Sequence, residues 1–171
     1  HYMLSGNFDT EKKTSSVNLL KTRGKRVTAE ITVPREILMK HLRVAPEQIA
    51  YGQQISTLSA ILTNSSNNAN HPANALAALY LATGQDVANI GESNQCTTYQ
   101  RATSKGDFYF SITLPAVIMA TYGGGTALPT QRECLRMLGC EGKGKALKLS
   151  EIAAALVVAG ELSLSGAARV D

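Results

Sequence analysis

Alternation of apolar and polar positions predicts a small β-sheet in this chain. RVTAEITV, residues 26–33, alternates with a period of two and is rich in β-branched residues, which favour an extended backbone. CTTYQRA and DFYFSITLPAVI, residues 96–102 and 107–118, also have strand character and are separated by a turn signal near Lys105-Gly106. Three strands are therefore expected.

Helical spacing of apolar residues covers most of the remaining chain. Proline opens several of these segments, because a first-turn position needs no backbone N–H, and glycine closes several of them. The predicted helices are, in chain order, a short one over 12–21, one opening at Pro34, one from Pro46 through Ile61, one from Pro72 to Gly84, an amphipathic one over 129–139 and a long one over 145–170. The last is apolar on most sides, which predicts a central, buried helix.

Between the third and fourth helices, TNSSNNANHP at residues 63–72 consists of turn formers. It is either a linker between domains or a loop, and the immediate return of a helical pattern favours a loop. We find no internal repeats. We expect one α+β domain, mostly helical, with a long central buried helix and a small sheet.

Composition narrows the class of protein without identifying it. The 171 residues are 44% hydrophobic and 18% charged, as in globular proteins, and the formal charge is +4. The basic stretch KTRGKR at 21–26 suggests nucleic-acid binding, but the basic residues are otherwise scattered and no aromatic platform accompanies them. No apolar run reaches about 18 residues, so no membrane span is expected. The first residues also lack the layout of a signal peptide.

Cysteine and histidine spacing argues against a metal site. The three cysteines form no CxxC pair, and the three histidines do not complete a set of about four tightly spaced zinc ligands. These residues are Cys96, Cys134, Cys140, His1, His41 and His71. We expect reduced thiols in a cytoplasmic protein and no bound metal.

Candidate chemistry begins at the charged run Glu11-Lys12-Lys13, which follows a Gly-Asn turn signal. Such a run is usually a solvated surface. Alternatively, a lysine held near a carboxylate stays protonated and stabilises oxygen charge that develops during a reaction. Its neighbour can then pair with a substrate carboxylate.

Three further places have both a structural and a functional interpretation. Asp86 follows a glycine break, where a carboxylate commonly caps the next helix. His71 and Asn74 lie three residues apart at a helix start, and His71 alone is more typical of a hydrogen-bonded cap. Glu161 and Ser163 lie within the apolar last helix, where buried polar groups mark either a helix contact or the wall of a site.

A run of three glycines, Gly123, Gly124 and Gly125, follows a predicted strand and precedes a predicted helix. Backbone N–H groups there can approach an anion closely, and the helix start adds a favourable dipole. A flexible turn also uses such a run, and the spacing matches neither GxGxxG nor GxxxxGK. Spacing alone therefore does not predict dinucleotide binding by this segment.

Taken in order, five segments resemble the C-terminal part of class I 3-hydroxy-3-methylglutaryl-coenzyme A reductases. They are SGNFDTEKK, NANHPANALAALYLATGQD, DFYFSITLPA, YGGGTALPTQRECLRMLGC and AGELSL. The resemblance implies an oxidoreductase of isoprenoid synthesis that reduces a thioester to mevalonate and free coenzyme A with NADPH. It also implies a homo-oligomer, a dimer or tetramer, with a shared active site.

The same resemblance assigns roles by position. Lys12 is expected to stabilise the oxyanion, and Asp86 is expected to tune that lysine. The residues expected to bind the hydroxymethylglutaryl group are Ser5, Asn7, Glu11, Lys13, His71, Asn74 and Ser163, and those expected near NADPH are Gly123, Gly124, Gly125 and Thr126.

Two positions depart from the family pattern. Glu11 stands where many relatives have aspartate, and Gln54 stands where a substrate-binding lysine is usual. The resemblance further implies that residues 1–171 form the C-terminal part of the large, substrate-binding domain. A catalytic glutamate and an inserted NADPH-binding domain would lie upstream, and a catalytic histidine downstream, so we expect this segment alone to be inactive. The alternative is a non-catalytic structural or regulatory relative that keeps the fold.

Overall fold

The chain folds around a three-stranded antiparallel sheet with the strand order β1-β3-β2. This computed structural model describes residues 1–2, 4, 6, 8–20 and 23–168. Its strands are β1 (Lys25–Val33), β2 (Thr97–Ala102) and β3 (Phe108–Val117). The three predicted strands are therefore confirmed.

The central strand β3 buries one face of the sheet in the core. From Phe108 to Leu114 its side chains alternate between buried and partly exposed, and the remaining residues up to Val117 are all buried. The buried residues at 0% exposure include Phe108, Phe110, Ile112 and Leu114. Helices cover this face, which makes the fold a layer of helices on a small sheet.

Most of the described residues outside the sheet are helical, as the apolar spacing predicted. The helices are α1 (Ser16–Leu20), α2 (Arg35–Leu42), α3 (Pro46–Leu62), α4 (Pro72–Thr83), α5 (Ile90–Ser93), α6 (Pro129–Met137) and α7 (Ala146–Ala167). Proline stands in the first turn of α3, α4 and α6. Glycine ends α4, where Gly84 adopts a left-handed φ of 70°.

The long helix α7 packs across β1 and β3 and against α4. Its buried positions recur at helical spacing and include Leu149, Ala153 and Val157. Leu156 and Leu164, on other sides of the helix, are 39% and 38% exposed. The long helix is thus confirmed, and it is buried along one face rather than all round.

The predicted helix over 12–21 is wrong in its first turn, because α1 begins only at Ser16. Thr10 and Lys12 have φ angles of 58° and 59°, which no right-handed helix contains. The N–H of Lys13 donates to the carbonyl of Thr10 over 3.2 Å, so these residues form a turn. Residues 21 and 22, and 169–171 at the end of the predicted last helix, lie outside the described part of the chain.

Three short elements were not predicted. They are α5 and the 3₁₀ turns Val87–Asn89 and Gly124–Ala127. Each is too short to show a helical period, so apolar spacing gives no signal for it. Two of the three, α5 and Val87–Asn89, lie directly after α4 and shape the candidate site.

Two observations concern the expected reduced thiols and the expected lack of a membrane span. Cys96, Cys134 and Cys140 are all free thiols. Within the part of the chain that the structure describes, no helix has the length and apolar character that crossing a bilayer requires.

Truncating a buried side chain of α4 should destabilise the protein far more than truncating an exposed one. Leu76 is 0% exposed, whereas Leu81 on the same helix is 65% exposed. We expect Leu76→Ala to lower the free energy of unfolding by about 2–5 kcal/mol. Leu81→Ala should change it by less than about 0.5 kcal/mol. Urea unfolding followed by circular dichroism measures both, and equal losses would contradict the placement of α4.

Candidate active site

An ion pair joins the first turn of the chain to the segment after α4. The Nζ atom of Lys12 lies 2.8 Å from Oδ2 of Asp86, and the two side chains are 42% and 49% exposed. Their mutual hydrogen bond raises the pKa of Lys12 and lowers the pKa of Asp86. The ammonium and the carboxylate therefore both stay charged, and both are accessible to a ligand.

A hydrogen bond to the other carboxylate oxygen, Oδ1, holds Asp86 in place. Its Oδ1 accepts the N–H of Ala88 over 3.0 Å and caps the 3₁₀ turn that follows. The neighbouring Gln85 forms a two-way bridge with Ala120, whose N–H donates to Oε1 over 2.7 Å and whose carbonyl accepts from Nε2 over 2.8 Å. The cap interpretation of Asp86 is confirmed, and it does not prevent contact with Lys12.

The turn that carries Lys12 rests on α5. The N–H of Lys12 donates to Oε1 of Glu92 over 3.2 Å, and the hydroxyl of Thr14 donates to the carbonyl of Gly91 over 2.9 Å. A Cβ atom on Gly91 would lie 2.8 Å from the carbonyl oxygen of Lys12, so a larger residue there would displace the turn.

Glu11 and Lys13 flank Lys12 on the same exposed turn. The ammonium of Lys13 donates to the carbonyl of Glu11 over 3.3 Å. The carboxylate of Glu11 lies 3.7 Å from the guanidinium of Arg23. Two of the predicted site residues of the opening segment, Glu11 and Lys13, therefore lie beside the ion pair, whereas Ser5 and Asn7 lie outside the described residues.

The glycine run packs against the same region. A Cβ atom on Gly84 would lie 2.3 Å from the carbonyl oxygen of Gly125, which shows a close approach of two backbones. Gly123 and Gly124 have φ angles of 81° and 55°, and nothing lies within 4 Å of a Cβ atom built there. Gly125 therefore braces the loop on the Asp86 side, while Gly123 and Gly124 leave open backbone.

A pocket of about 560 Å³ adjoins this loop. Its lining includes Gly123, the aromatic ring of Tyr122 and the ion-paired side chains of Arg132 and Glu141. The hydroxyl of Thr126 donates to the carbonyl of Gly123 over 2.6 Å, so it shapes the loop. The pocket volume is in the range of small-molecule sites in proteins.

His71 and Asn74 lie at the opposite end of α4 from Asp86. Twelve helical residues separate the two ends, which corresponds to about 18 Å along the axis. His71 occupies the N-cap position of α4 but its side chain makes no capping bond, so its interpretation as a hydrogen-bonded cap is wrong. The cap comes instead from buried Glu161, whose Oε1 accepts the N–H groups of Asn70, over 2.8 Å, and of His71.

Glu161 thus marks a contact between α7 and α4, one of the two predicted alternatives. The imidazole of His71 packs on Gly160, the residue of α7 that precedes Glu161, since a Cβ atom on Gly160 would lie 1.8 Å from its Cδ2. Ser163 is exposed on α7, two residues beyond Glu161 and so on a different side of the helix. Gln54 is exposed on α3.

Sequence reasoning missed the residues that support the ion pair. Glu92 and Gly91 carry no periodic or motif signal. Gln85 lies within the segment NANHPANALAALYLATGQD but was given no role, and Arg23 was considered only as part of a basic stretch. A glutamate in a polar segment such as IGESN is usually exposed, yet Glu92 is 0% exposed. Only its position in space shows its role.

Comparison with known proteins relates the whole chain to one family. A profile described as hydroxymethylglutaryl-coenzyme A reductase matches residues 1–171. Over 96% of the chain, it is 46% identical to the 3-hydroxy-3-methylglutaryl-coenzyme A reductase of Methanothermobacter thermautotrophicus and 44% identical to that of Methanocaldococcus jannaschii. The corresponding Drosophila melanogaster protein is 38% identical over the same share. The chain spans 41%, 40% and 19% of these relatives, respectively.

Removing the carboxylate charge at position 86 should lower the pKa of Lys12. Asp86 raises that pKa through a hydrogen bond and charge attraction, so Asp86→Asn should return it towards its ordinary value. The ammonium would then deprotonate at a lower pH than in the unmodified protein. NMR titration of ¹³C-methylated lysines measures the change. Glu30→Gln, an exposed carboxylate on β1, is the control, and an unaltered Lys12 pKa in Asp86→Asn would contradict the ion pair.

Proposed function

The chain belongs to the hydroxymethylglutaryl-coenzyme A reductase family, and we propose that the complete protein reduces the thioester of hydroxymethylglutaryl-coenzyme A to mevalonate and free coenzyme A with NADPH. The chain spans about 40% of the length of its archaeal relatives, so the proposal concerns the complete protein. Within it, residues 1–171 would contribute part of the large, substrate-binding domain. The supporting observation is the contact between Lys12 and Asp86.

Lys12 is proposed to stabilise the oxygen that becomes negative as the thioester carbonyl is reduced. An ammonium already held at a fixed position donates to that oxygen without the reorganisation that water would need. Asp86 keeps the proton on Lys12, because the hydrogen bond between them raises the pKa of Lys12. Since both side chains are about half exposed, a bound substrate would exclude water from the pair and strengthen its electrostatic effect.

The neighbouring residues are proposed to recognise the substrate's own carboxylate. Lys13 is exposed on the same turn as Lys12 and offers a second cation there. Glu11, Ser5 and Asn7 belong to the same segment and would complete the polar surround of the hydroxymethylglutaryl group. One cation would thus hold the substrate while the other acts on the reacting oxygen.

The glycine loop is proposed to lie against NADPH, which supplies hydride when bound. Gly123 and Gly124 fit that task, because their backbone is open on the side where a Cβ atom would lie. Gly125 holds the loop against Gly84, two residues before Asp86, so cofactor and ion pair would be close. Thr126 is assigned to shaping the loop through its bond to Gly123.

We further propose a homo-oligomer in which a second copy completes the site. His71, the N-cap residue at the other end of α4, lies about 18 Å along that helix from the Asp86 end, and Asn74, also proposed to bind substrate, lies in the first turn of the helix. Ser163 is exposed on the surface of α7 and would bind substrate from there. An apolar stripe on α3 supports an assembly, with Tyr51, Ile55, Leu58 and Leu62 at 65%, 51%, 58% and 77% exposure.

The stripe residues recur at helical spacing, so they form one continuous surface on α3.

The three free thiols, two of them buried, support a reducing compartment, and a cytoplasmic location is part of this proposal.

Replacing the proposed oxyanion-stabilising group should abolish most turnover. In the complete protein, Lys12→Met should lower kcat by about 10²–10³-fold, the usual effect of losing one preorganised donor. NADPH oxidation with hydroxymethylglutaryl-coenzyme A measures this. Lys13→Met should instead raise KM for the thioester, and Lys40→Met on α2 should change neither. An active Lys12→Met enzyme would contradict the mechanism, and an inactive unmodified protein would favour a non-catalytic relative.

A charge placed in the α3 stripe should dissociate the proposed oligomer. Leu58→Asp would bury a carboxylate without a partner at an apolar interface, which costs several kcal/mol. Sedimentation velocity of the complete protein should then show a smaller species. Met137→Asp, at an 83% exposed position of α6, is the matched control and should leave the oligomer intact. An oligomer that survives Leu58→Asp would exclude α3 as the interface.

A further inference from the structure

Glu92 is a fully buried carboxylate that does not itself belong to the Lys12–Asp86 pair. It lies in α5 at 0% exposure. A buried carboxylate is unfavourable unless charge and hydrogen-bond partners surround it. Glu92 has two such partners on different segments: Nε of Arg23 lies 2.8 Å from Oε2, and the N–H of Lys12 lies 3.2 Å from Oε1.

The backbone at Lys12 needs support from outside its own turn. Its φ of 59° lies in the left-handed region, which a residue with a Cβ atom rarely adopts. Thr10, two residues earlier, has a similar φ of 58°. A turn with two such residues persists only when surrounding contacts determine it, and the bond from the Lys12 N–H to Glu92 is such a contact.

The support itself is firmly attached to the core. Ser93, next to Glu92, accepts the hydroxyl of buried Tyr80 over 2.9 Å and the N–H of Ile118 over 3.0 Å. Gly91, on the other side, lets the carbonyl of Lys12 come within 2.8 Å of the position of a Cβ atom. Residues 91–93 of α5 thus attach the turn that carries Lys12 to α4 and to the end of β3, both parts of the core.

Arg23 compensates the carboxylate of Glu92 in this buried place. Its guanidinium binds Glu92 at 2.8 Å and lies 3.7 Å from Glu11, so it links the carboxylates on both sides of the turn. A charged acceptor makes a stronger hydrogen bond to the Lys12 N–H than a neutral one. The carboxylate of Glu92 therefore acts on the backbone of Lys12, whereas the nearby charge of Arg23 lowers the pKa of the Lys12 ammonium and so cannot be what attracts that ammonium to its place.

We propose that Glu92, held by Arg23, is a positioning residue that fixes the left-handed turn and so directs the Lys12 ammonium at Asp86. Its importance for turnover rests on the proposed function, whereas its effect on the ion pair does not. Neither residue would touch the substrate. Without the bond to Glu92, the turn would relax and the ammonium would leave the carboxylate part of the time.

Glu92→Gln in the complete protein tests this with little change in shape. We expect the pKa of Lys12, read from ¹³C-methyl-lysine titration, to fall in the same direction as in Asp86→Asn. In the double variant the pKa should equal that of Asp86→Asn alone, because Glu92 acts only through the pair. Reductase kcat should fall by about tenfold or more, as expected for a misplaced catalytic group.

Glu161→Gln is the matched control, since Glu161 is a second buried carboxylate, 4% exposed, that caps α4 at its far end. It should lower the melting temperature without changing the pKa of Lys12. Arg23→Lys, at a half-exposed site, provides a second variant if Glu92→Gln does not fold, and should shift the Lys12 pKa less.

An unchanged Lys12 pKa in the folded variants, with only a loss of stability as in Glu161→Gln, would overturn the proposal. A Lys12 pKa that responds to Glu92 in a protein without reductase activity would uphold the positioning role and contradict the proposed function instead. Reductase activity together with a Lys12 pKa that does not change in Glu92→Gln would uphold the proposed function and contradict the positioning role.

Discussion

The candidate site depends on one constraint: an ammonium and a carboxylate from distant segments must meet in a place that water still reaches. A half-exposed ion pair such as Lys12–Asp86 contributes little to stability, because solvent screens it and both side chains lose freedom. The pair therefore cannot hold the two segments together. The fold holds the pair, through backbone and buried contacts on each side of it.

Two glycine contacts show how closely these segments are joined. Gly91 admits the carbonyl of Lys12, and Gly84 admits the backbone of Gly125. In each case a side chain would occupy the space of a neighbouring backbone atom. The opening turn, the end of α4 and the glycine loop thus form one unit. Its two close contacts require a residue without a side chain at positions 91 and 84.

The helix α4 determines what one chain can bring together. It is anchored in the core by Leu76 and Tyr80, both 0% exposed, and it is capped at its start by Glu161. Asp86 follows one end and His71 precedes the other, so a rigid helix separates the two groups of proposed substrate-binding residues. This separation, together with the exposed apolar stripe on α3, is the physical basis for proposing that two copies share a site.

The amino-acid sequence by itself determined the strands and the helices that open at proline, because periodicity and turn formers are local properties. Resemblance to a known family, and no local pattern, made Lys12 and Asp86 a candidate pair. The sequence did not determine that Lys12 lies in a left-handed turn instead of a helix, that Glu161 and not the His71 side chain makes the capping bonds at the start of α4, or that Glu92 supports the ion pair. Each of these depends on contacts between residues far apart in the chain. Only the tertiary structure decides such contacts, since the burial and the orientation of side chains are set when the helices and strands pack together.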